Sequence, residues 1–222
     1  MKIAGILKTA TIDFPGRLAA VVFTPGCNYD CSFCHNRDLL TTQTLLDQEQ
    51  LETFLKKRAG LLDGVVISGG EPTLQGVKLI EFAAFLKGLS YDVKLDTNGS
   101  HPEIVRELLR LELVDYVAMD YKAPFARYAE ICGGTADAVP VRQTLEILLE
   151  GNADFELRTT VIPELSGDDL AEMAQAVPIL PAYALQLYRP VRVEKLRVYT
   201  PQDITRLAES IRQYQPNVIS RS

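Results

Sequence analysis

The sequence predicts an α/β fold in which a parallel sheet is covered by helices. Short strand-like runs alternate with segments whose apolar residues recur at helical spacing. These runs are apolar almost throughout, which is typical of strands buried on both faces of a parallel sheet. Six such βα units predict either an open doubly wound sheet or a curved partial barrel.

Each predicted element has its own signal. Strands are predicted at 18–24, 64–68, 91–97, 114–120, 154–162 and 183–188, and helical spacing recurs over 51–55, 79–86, 104–111, 170–177 and 204–211. Ser166 with Asp169, and Thr200 with Asp203, predict capped helix starts. Residues 133–140 are predicted to form a loop that is too short to separate domains. We therefore expect a single domain over residues 1–222.

Composition narrows the function classes. The chain has 222 residues, is 47% apolar and carries a formal charge of -6. A negative net charge does not attract nucleic acid or anionic lipid, so both are disfavoured as partners. The sequence has no apolar run of about eighteen residues and no secretory signal pattern, which predicts a cytoplasmic location.

The stretch "PGCNYDCSFCHN" places Cys27, Cys31 and Cys34 directly after the first predicted strand. In a reducing compartment such a cluster of thiols indicates metal ligands or catalytic groups. Soft thiolates select zinc, copper(I) or iron–sulfur clusters. Structural zinc with His35 or Cys132 as fourth ligand stays open, although such sites favour paired Cys-x2-Cys knuckles. A 4Fe–4S cluster held by three cysteines leaves one iron for a ligand that is not protein.

Polar residues follow the ends of the later strands, where the chemistry of α/β folds gathers. The turn "SGGEP" removes two side chains at Gly69 and Gly70, so that a ligand can approach, and Glu71 supplies an acceptor for an ammonium group. The other polar residues in such positions are Asp96, Asn98, Asp120, Lys122 and Arg158. A structural set of ion pairs at the rim of the sheet is the alternative for Asp96, Asp120 and Lys122.

The three-cysteine loop followed by "SGGEP" resembles the radical S-adenosylmethionine superfamily. This resemblance implies a partial (β/α)6 TIM-like barrel and a 4Fe–4S cluster held by Cys27, Cys31 and Cys34. It also implies that S-adenosylmethionine binds the open iron and is reductively cleaved to methionine and a 5′-deoxyadenosyl radical. The chain would then be a radical oxidoreductase.

The same resemblance implies roles for the strand-end residues. Gly69, Gly70 and Glu71 would bind the methionyl amine, and Phe33 would border the adenine. Asp96, Asn98 and Arg158 would join them in binding the cofactor. The acid-x-Lys pattern in "MDYKAP" implies that Asp120 and Lys122 lie beside the methionyl group and the substrate as the catalytic pair.

The N-terminal segment narrows the resemblance to one branch. The Asp-x-Pro-Gly turn before the first predicted strand, and His-Asn after the third cysteine, resemble activating enzymes of glycyl radical enzymes. This implies a glycyl radical enzyme as partner, above all anaerobic ribonucleoside-triphosphate reductase or a related lyase, with a flavodoxin or ferredoxin as electron donor. Phe14 departs from the glycine that many relatives have. No cysteine follows over 37–50, which predicts a single cluster.

Two other functions stay open at this point. A small-molecule radical enzyme such as a 7-carboxy-7-deazaguanine synthase is also short and bears "GGEP". A zinc-stabilised binding module without catalysis is the alternative from another class.

Overall fold

The computed structural model describes residues 1–133, 135–190 and 198–222. Its strands are β1 Gly5–Ala10, β2 Ala19–Thr24, β3 Gly64–Gly69, β4 Asp92–Thr97, β5 Tyr116–Asp120, β6 Asp154–Val161, β7 Tyr183–Leu187 and β8 Val218–Arg221. Its α-helices are α1 Gln48–Arg58, α2 Val77–Gly88, α3 Pro102–Arg110, α4 Tyr128–Cys132, α5 Ala138–Glu150, α6 Gly167–Gln175 and α7 Pro201–Ile211. All six predicted strands are present as β2 to β7.

In the first unit the strands β1 to β4 lie side by side in chain order, and in the second unit β6 to β8 do so as well. β1 pairs with β2 antiparallel, whereas β2 with β3 and β3 with β4 are parallel. β6, β7 and β8 are parallel as well. Helices connect most of these strands, so the predicted α/β alternation is confirmed, and the carboxyl ends of parallel strands meet at one edge where a site can form.

The chain divides into two compact units. The first unit comprises Met1–Asn28, Asn36–Ala118 and Val139–Asp154, and the second comprises Tyr29–His35, Met119–Ala138 and Phe155–Ser222. The expectation of a single domain stays a prediction.

The core of the first unit lies on β2 and β3. Val22, Val65 and Ile67 are fully buried, as expected for strands covered on both faces. Phe14 is also buried, at 4% exposure, and packs against Tyr116 with ring centroids 6.1 Å apart. The Phe14 side chain, at a position where many relatives have glycine, therefore packs inside this core.

The core of the second unit contains buried tyrosines beside apolar strands. Tyr121 and Tyr183 lie with ring centroids 6.5 Å apart, and Thr159 donates to the carbonyl of Tyr121 at 2.5 Å. Arg221 of β8 forms an ion pair with the buried Glu156 of β6, with Nη1 and Oε1 2.9 Å apart. This pair links the two strands that flank β7.

Both predicted helix caps are confirmed, and each is a capping box. Ser166 accepts from the N–H of Asp169 at the start of α6, and the Asp169 side chain accepts from the N–H of Ser166. Thr200 and Asp203 form the same reciprocal pair at the start of α7. Each box satisfies backbone donors that the first helical turn leaves without partners.

Several elements differ from the sequence prediction. β1, β8 and the helices α4 and α5 were not predicted, and the predicted loop over 133–140 is wrong from Ala138 onward, where α5 begins. Gly134 of that loop lies outside the described residues. β1 is partly exposed along most of its length and lacks a buried apolar run. α5 has Pro140 in its first turn, where proline is tolerated, although it reads as a loop signal in the sequence.

Within 1–133, 135–190 and 198–222, no helix has the length and apolar character that crossing a membrane requires. The cytoplasmic location stays a prediction.

Candidate active site

In the first unit, the Gly-Gly-Glu turn at the end of β3 contacts the chain that leads into Cys27. The N–H of Gly70 donates to the carbonyl of Thr24 at 2.9 Å, and the N–H of Glu71 donates to the carbonyl of Gly26 at 2.8 Å. A Cβ on Gly70 would lie 1.8 Å from the Gly26 oxygen. The absence of a side chain at Gly70 is therefore required by this backbone contact, whether or not a ligand also approaches it.

The Glu71 side chain is fully buried and hydrogen-bonded through both carboxylate oxygens. Oε1 accepts from the N–H of Thr73 at 3.0 Å and from the hydroxyl of Thr97 at 2.8 Å, while Oε2 accepts from the N–H of Asn98 at 2.6 Å. Burial raises the pKa of this carboxyl, and the hydrogen bonds oppose the rise. Glu71 thus joins the turn after β3 to the turn after β4, and its contact with a cofactor amine stays a prediction.

Asn98 is placed against the first cysteine. Its side-chain Nδ2 lies 3.8 Å from the Cys27 sulfur and 3.0 Å from Oδ1 of Asn28. Its Oδ1 accepts from the N–H of Ser100 at 2.9 Å. The first unit therefore brings together Cys27, Glu71 and Asn98, three of the predicted site residues.

Asp96 near the end of β4 is part of an ion pair. Its Oδ1 lies 2.5 Å from Nζ of Lys94, whose side chain is only 3% exposed, and its Oδ2 accepts from the Ser68 hydroxyl at 3.0 Å. Sequence reasoning missed Lys94, although a lone lysine inside the otherwise apolar middle of a strand was the available signal. Cofactor binding by Asp96 stays a prediction.

In the second unit, the C-terminal end of α4 holds the middle of the cysteine loop. The carbonyl oxygen of Cys132 accepts from the N–H of Asp30 at 3.2 Å and lies 3.6 Å from the Cys31 sulfur. A hydrogen bond with the Cys132 side chain, assisted by the charge of Lys122, lowers the pKa of Cys31 to about 7 against the effect of burial. Cys132 itself is fully buried, and its pKa is raised by its contact with Cys31 and by burial. Its position beside a predicted ligand was not apparent from the sequence.

Asp120, Lys122 and Arg158 form one charged cluster. Lys122 Nζ lies 2.9 Å from Oδ2 of Asp120, and Arg158 Nε lies 3.0 Å from Oδ1. Burial would raise the pKa of Asp120, but the two cations outweigh it and lower the pKa to about 2. Burial would likewise lower the pKa of Lys122, yet the Asp120 carboxylate raises it above its ordinary value. Phe33 lies beside this cluster, with Lys122 Nζ 6.0 Å from its ring centroid.

The donor chemistry fits an iron–sulfur cluster. Cys27, Cys31, Cys34 and Cys132 are not joined in disulfides, and the lowered pKa of Cys31 favours the thiolate form in which cysteine binds metal. Across the part of the chain that the structure describes, no group of three or more His, Cys, Asp or Glu side chains is assembled as a metal site. Ligation by Cys27, Cys31 and Cys34 stays a prediction.

Comparison with known proteins identifies the family. Residues 21–177 match the model of the Radical SAM superfamily. A Methanocaldococcus jannaschii protein, provisionally named as a glycyl-radical enzyme activating enzyme, is 33% identical over 231 residues, covering 99% of this chain and 95% of the relative. The pyruvate formate-lyase-activating enzyme of Listeria monocytogenes is 28% identical, covering 81% of this chain and 77% of the relative. The 7-carboxy-7-deazaguanine synthase of Thermococcus kodakarensis is 24% identical, with coverage of 82% and 79%.

A solved structure agrees in fold. Native anSMEcpe with bound AdoMet superposes with a TM-score of 0.65 at 17% identity over 86% of this chain. The chain spans 57% of the length of that solved chain.

The chain belongs to the Radical SAM superfamily. It is an enzyme of that family, and the predicted fold class, a partial TIM-like barrel of the radical SAM type, is confirmed. The cofactors that the resemblance implied, a 4Fe–4S cluster and S-adenosylmethionine, are those of the family.

Proposed function

We propose that this protein activates a glycyl radical enzyme, above all an anaerobic ribonucleoside-triphosphate reductase. The observation that carries the proposal is the 33% identity to a provisionally named activating enzyme over 99% of this chain. The Asp-x-Pro-Gly turn at Asp13–Gly16 and the His-Asn pair at 35–36 support it. The reaction would consume one electron and one S-adenosylmethionine, yielding methionine, 5′-deoxyadenosine and a glycyl radical on the partner.

Three thiolates would hold the cluster, namely those of Cys27, Cys31 and Cys34. When bound, the cluster supplies an open iron for S-adenosylmethionine and the electron that cleaves the sulfonium. The turn at Gly69–Glu71 supports this arrangement through its hydrogen bonds to the carbonyls of Thr24 and Gly26, which fix the chain entering the loop at Cys27.

The Asp120–Lys122–Arg158 cluster would orient the methionyl group. Asp120 accepts from both cations, so each cation is held in place while retaining donors for an anionic ligand. The side chains of Asp120, Lys122 and Arg158 together carry a net charge of +1, because two cations contact one carboxylate. A carboxylate such as that of the methionyl group suits this charge.

The partner would present a glycine whose Cα–H is the hydrogen donor. A glycyl radical is stabilised by its flanking amides, and the missing side chain allows close approach. A reduced flavodoxin or ferredoxin would supply the electron.

A 7-carboxy-7-deazaguanine synthase activity is the second candidate. The 24% identity to such a synthase over 82% of this chain favours it. The Asp-x-Pro-Gly turn and the acid-x-Lys pattern favour the activating enzyme instead.

The test is electron paramagnetic resonance of a co-encoded glycyl radical enzyme after incubation with this protein, S-adenosylmethionine and a reductant under anaerobic conditions. We expect a glycyl radical signal that disappears when the acceptor glycine is changed to alanine or when Cys34→Ala replaces the wild type. Cleavage of S-adenosylmethionine without any glycyl signal would contradict the proposal, and turnover of carboxytetrahydropterin would establish the second candidate.

A further inference from the structure

Asn98 lies at the centre of a hydrogen-bond network that ends on the first cysteine. Asn98 is buried, with 4% of the residue exposed, so its amide needs partners within the protein. Its backbone N–H donates to Glu71, and its side-chain nitrogen faces the Cys27 sulfur at 3.8 Å and Asn28 Oδ1 at 3.0 Å. The cysteine that opens the loop is thus contacted by a residue seventy-one positions away.

The neighbours of Asn98 fix the orientation of its amide. The N–H of Ser100 can only donate, and it lies 2.9 Å from the Asn98 oxygen, so this oxygen must face Ser100. The nitrogen therefore faces Cys27 and Asn28. It carries two hydrogens, and these two neighbours account for both.

Glu71 holds Asn98 in this position. Its Oε2 accepts from the backbone N–H of Asn98 at 2.6 Å, and its Oε1 accepts from the neighbouring Thr97 hydroxyl at 2.8 Å. The carboxylate is buried and fixed in turn by the N–H of Thr73. The amide is therefore held by a turn that is hydrogen-bonded to a buried carboxylate, as expected of a residue that orients a ligand to a metal.

We infer that Asn98 is a positioning residue that donates an N–H to the Cys27 thiolate and thereby raises the reduction potential of the cluster. Hydrogen bonds to the ligating sulfurs stabilise the reduced, more negative cluster and are one of the determinants of its potential. The inference rests on the proposed function, because it takes Cys27 as a cluster ligand. It differs from the sequence-based prediction that Asn98 binds the cofactor.

The test is a redox titration of the anaerobically reconstituted cluster without S-adenosylmethionine, followed by electron paramagnetic resonance. Asn98→Asp keeps the shape and the oxygen that faces Ser100 but removes the N–H donor. Asn98→Ala removes the donor without adding charge. Asn152→Asp, at an exposed position in the first unit, is the matched control for the added charge.

We expect Asn98→Ala to reduce the equilibrium constant for cluster reduction about tenfold, which is about 59 mV for a one-electron couple. Asn98→Asp should lower the reduction potential further, and Asn152→Asp should have the reduction potential of the wild type. An unchanged potential in Asn98→Ala, together with weaker binding of S-adenosylmethionine, would overturn the inference in favour of direct cofactor contact.

A measurement on the wild type decides the question if the variants fail to fold. Protein labelled with ¹⁵N in the asparagine side chains should show a coupling between the reduced cluster and an amide ¹⁵N in pulsed electron paramagnetic resonance. The absence of any coupling would overturn the inference. A wild-type protein that takes up no cluster would instead contradict the proposed function on which the inference rests.

Discussion

Cys27, Cys31 and Cys132 have different surroundings, from which different roles are expected. Cys27 contacts the Asn98 amide, and Cys31 lies against the end of α4. Cys132 is fully buried beside Cys31 and supplies a backbone carbonyl to the loop. A change of its side chain leaves these carbonyl contacts in place and removes only the side-chain hydrogen bond to Cys31.

Alanine substitutions test this division. We expect Cys27→Ala, Cys31→Ala and Cys34→Ala each to abolish cleavage of S-adenosylmethionine, a loss of roughly a hundredfold or more, since loss of an outer-shell partner alone costs 10–100-fold. Cys132→Ala should keep most of the activity. Iron and sulfide counted after anaerobic reconstitution give the check, and a Cys132→Ala protein stripped of iron would show that the ligands are assigned incorrectly.

The Asp120–Lys122 pair leads to a prediction for pH dependence. The pKa of Asp120 is lowered to about 2, so this carboxyl gains a proton only as the pH falls towards that value, and Lys122 keeps its proton because its pKa is raised. Both side chains are therefore charged between about pH 5 and 9. We expect Asp120→Asn to weaken binding of S-adenosylmethionine roughly tenfold, about 1.4 kcal/mol, without changing the shape of the pH profile in this range. Isothermal titration calorimetry at several pH values measures this affinity. A loss of affinity at acidic pH that is seen in the wild type and absent from Asp120→Asn would contradict the claim that Asp120 stays charged in this range.

Much of the residue-scale site could be predicted from the sequence. Short sequence patterns contain the cysteines, the glycines, Asp120 and Lys122, and the chemistry of each pattern can be predicted from its residue types. The hydrogen bonds of Glu71 and Asn98 could not be predicted, because they join residues of different turns whose approach depends on the packing of β3 beside β4.

The turn after β3 positions the site residues of the first unit, Cys27, Glu71 and Asn98. Gly70 lies so close to Gly26 that a Cβ would lie 1.8 Å from its backbone oxygen. Because backbone cannot yield as a side-chain tip can, a methyl group there must displace either this turn or the start of the cysteine loop.

We expect Gly70→Ala to destabilise the protein and to impair cluster incorporation. Gly88→Ala is the matched control, since a Cβ at this end of α2 would meet no described atom within 4 Å apart from its own helix, and alanine there should be neutral or stabilising by up to about 1 kcal/mol. Iron content and urea unfolding of both variants compare the two positions. Equal iron content in the two variants would contradict the importance of this backbone contact.

Glu71 links the turn after β3 to the turn after β4. Glu71→Gln replaces one acceptor oxygen by a nitrogen that faces existing donors, so we expect a loss of about 1–3 kcal/mol in the free energy of unfolding. Urea unfolding under anaerobic conditions measures this loss. A Glu71→Gln protein as stable as the wild type would show that the buried carboxylate is not needed to join the two turns.

The elements were predictable where burial imposes a pattern. β2 to β7 and the capped helices α6 and α7 follow from apolar runs and capping boxes. β1 and β8 are partly exposed, so neither has the continuous apolar run that marks a buried strand. α5 follows a loop signal and contains a proline, and only its tertiary packing reveals it as a helix.

At the scale of the whole molecule, family and fold followed from two short motifs and the βα alternation. The match to the Radical SAM superfamily spans residues 21–177. The identity of the partner lies outside such motifs, because it depends on a surface that must fit another protein rather than on residues that must fit a cofactor.

The central claim is that three thiolates hold a cluster whose fourth iron binds S-adenosylmethionine. Mössbauer spectroscopy of protein reconstituted anaerobically with ⁵⁷Fe, with and without S-adenosylmethionine, tests it most directly. We predict a 4Fe–4S cluster in which one iron changes its isomer shift when S-adenosylmethionine is added. Four irons that do not respond, or a protein that binds zinc and no iron, would contradict the account.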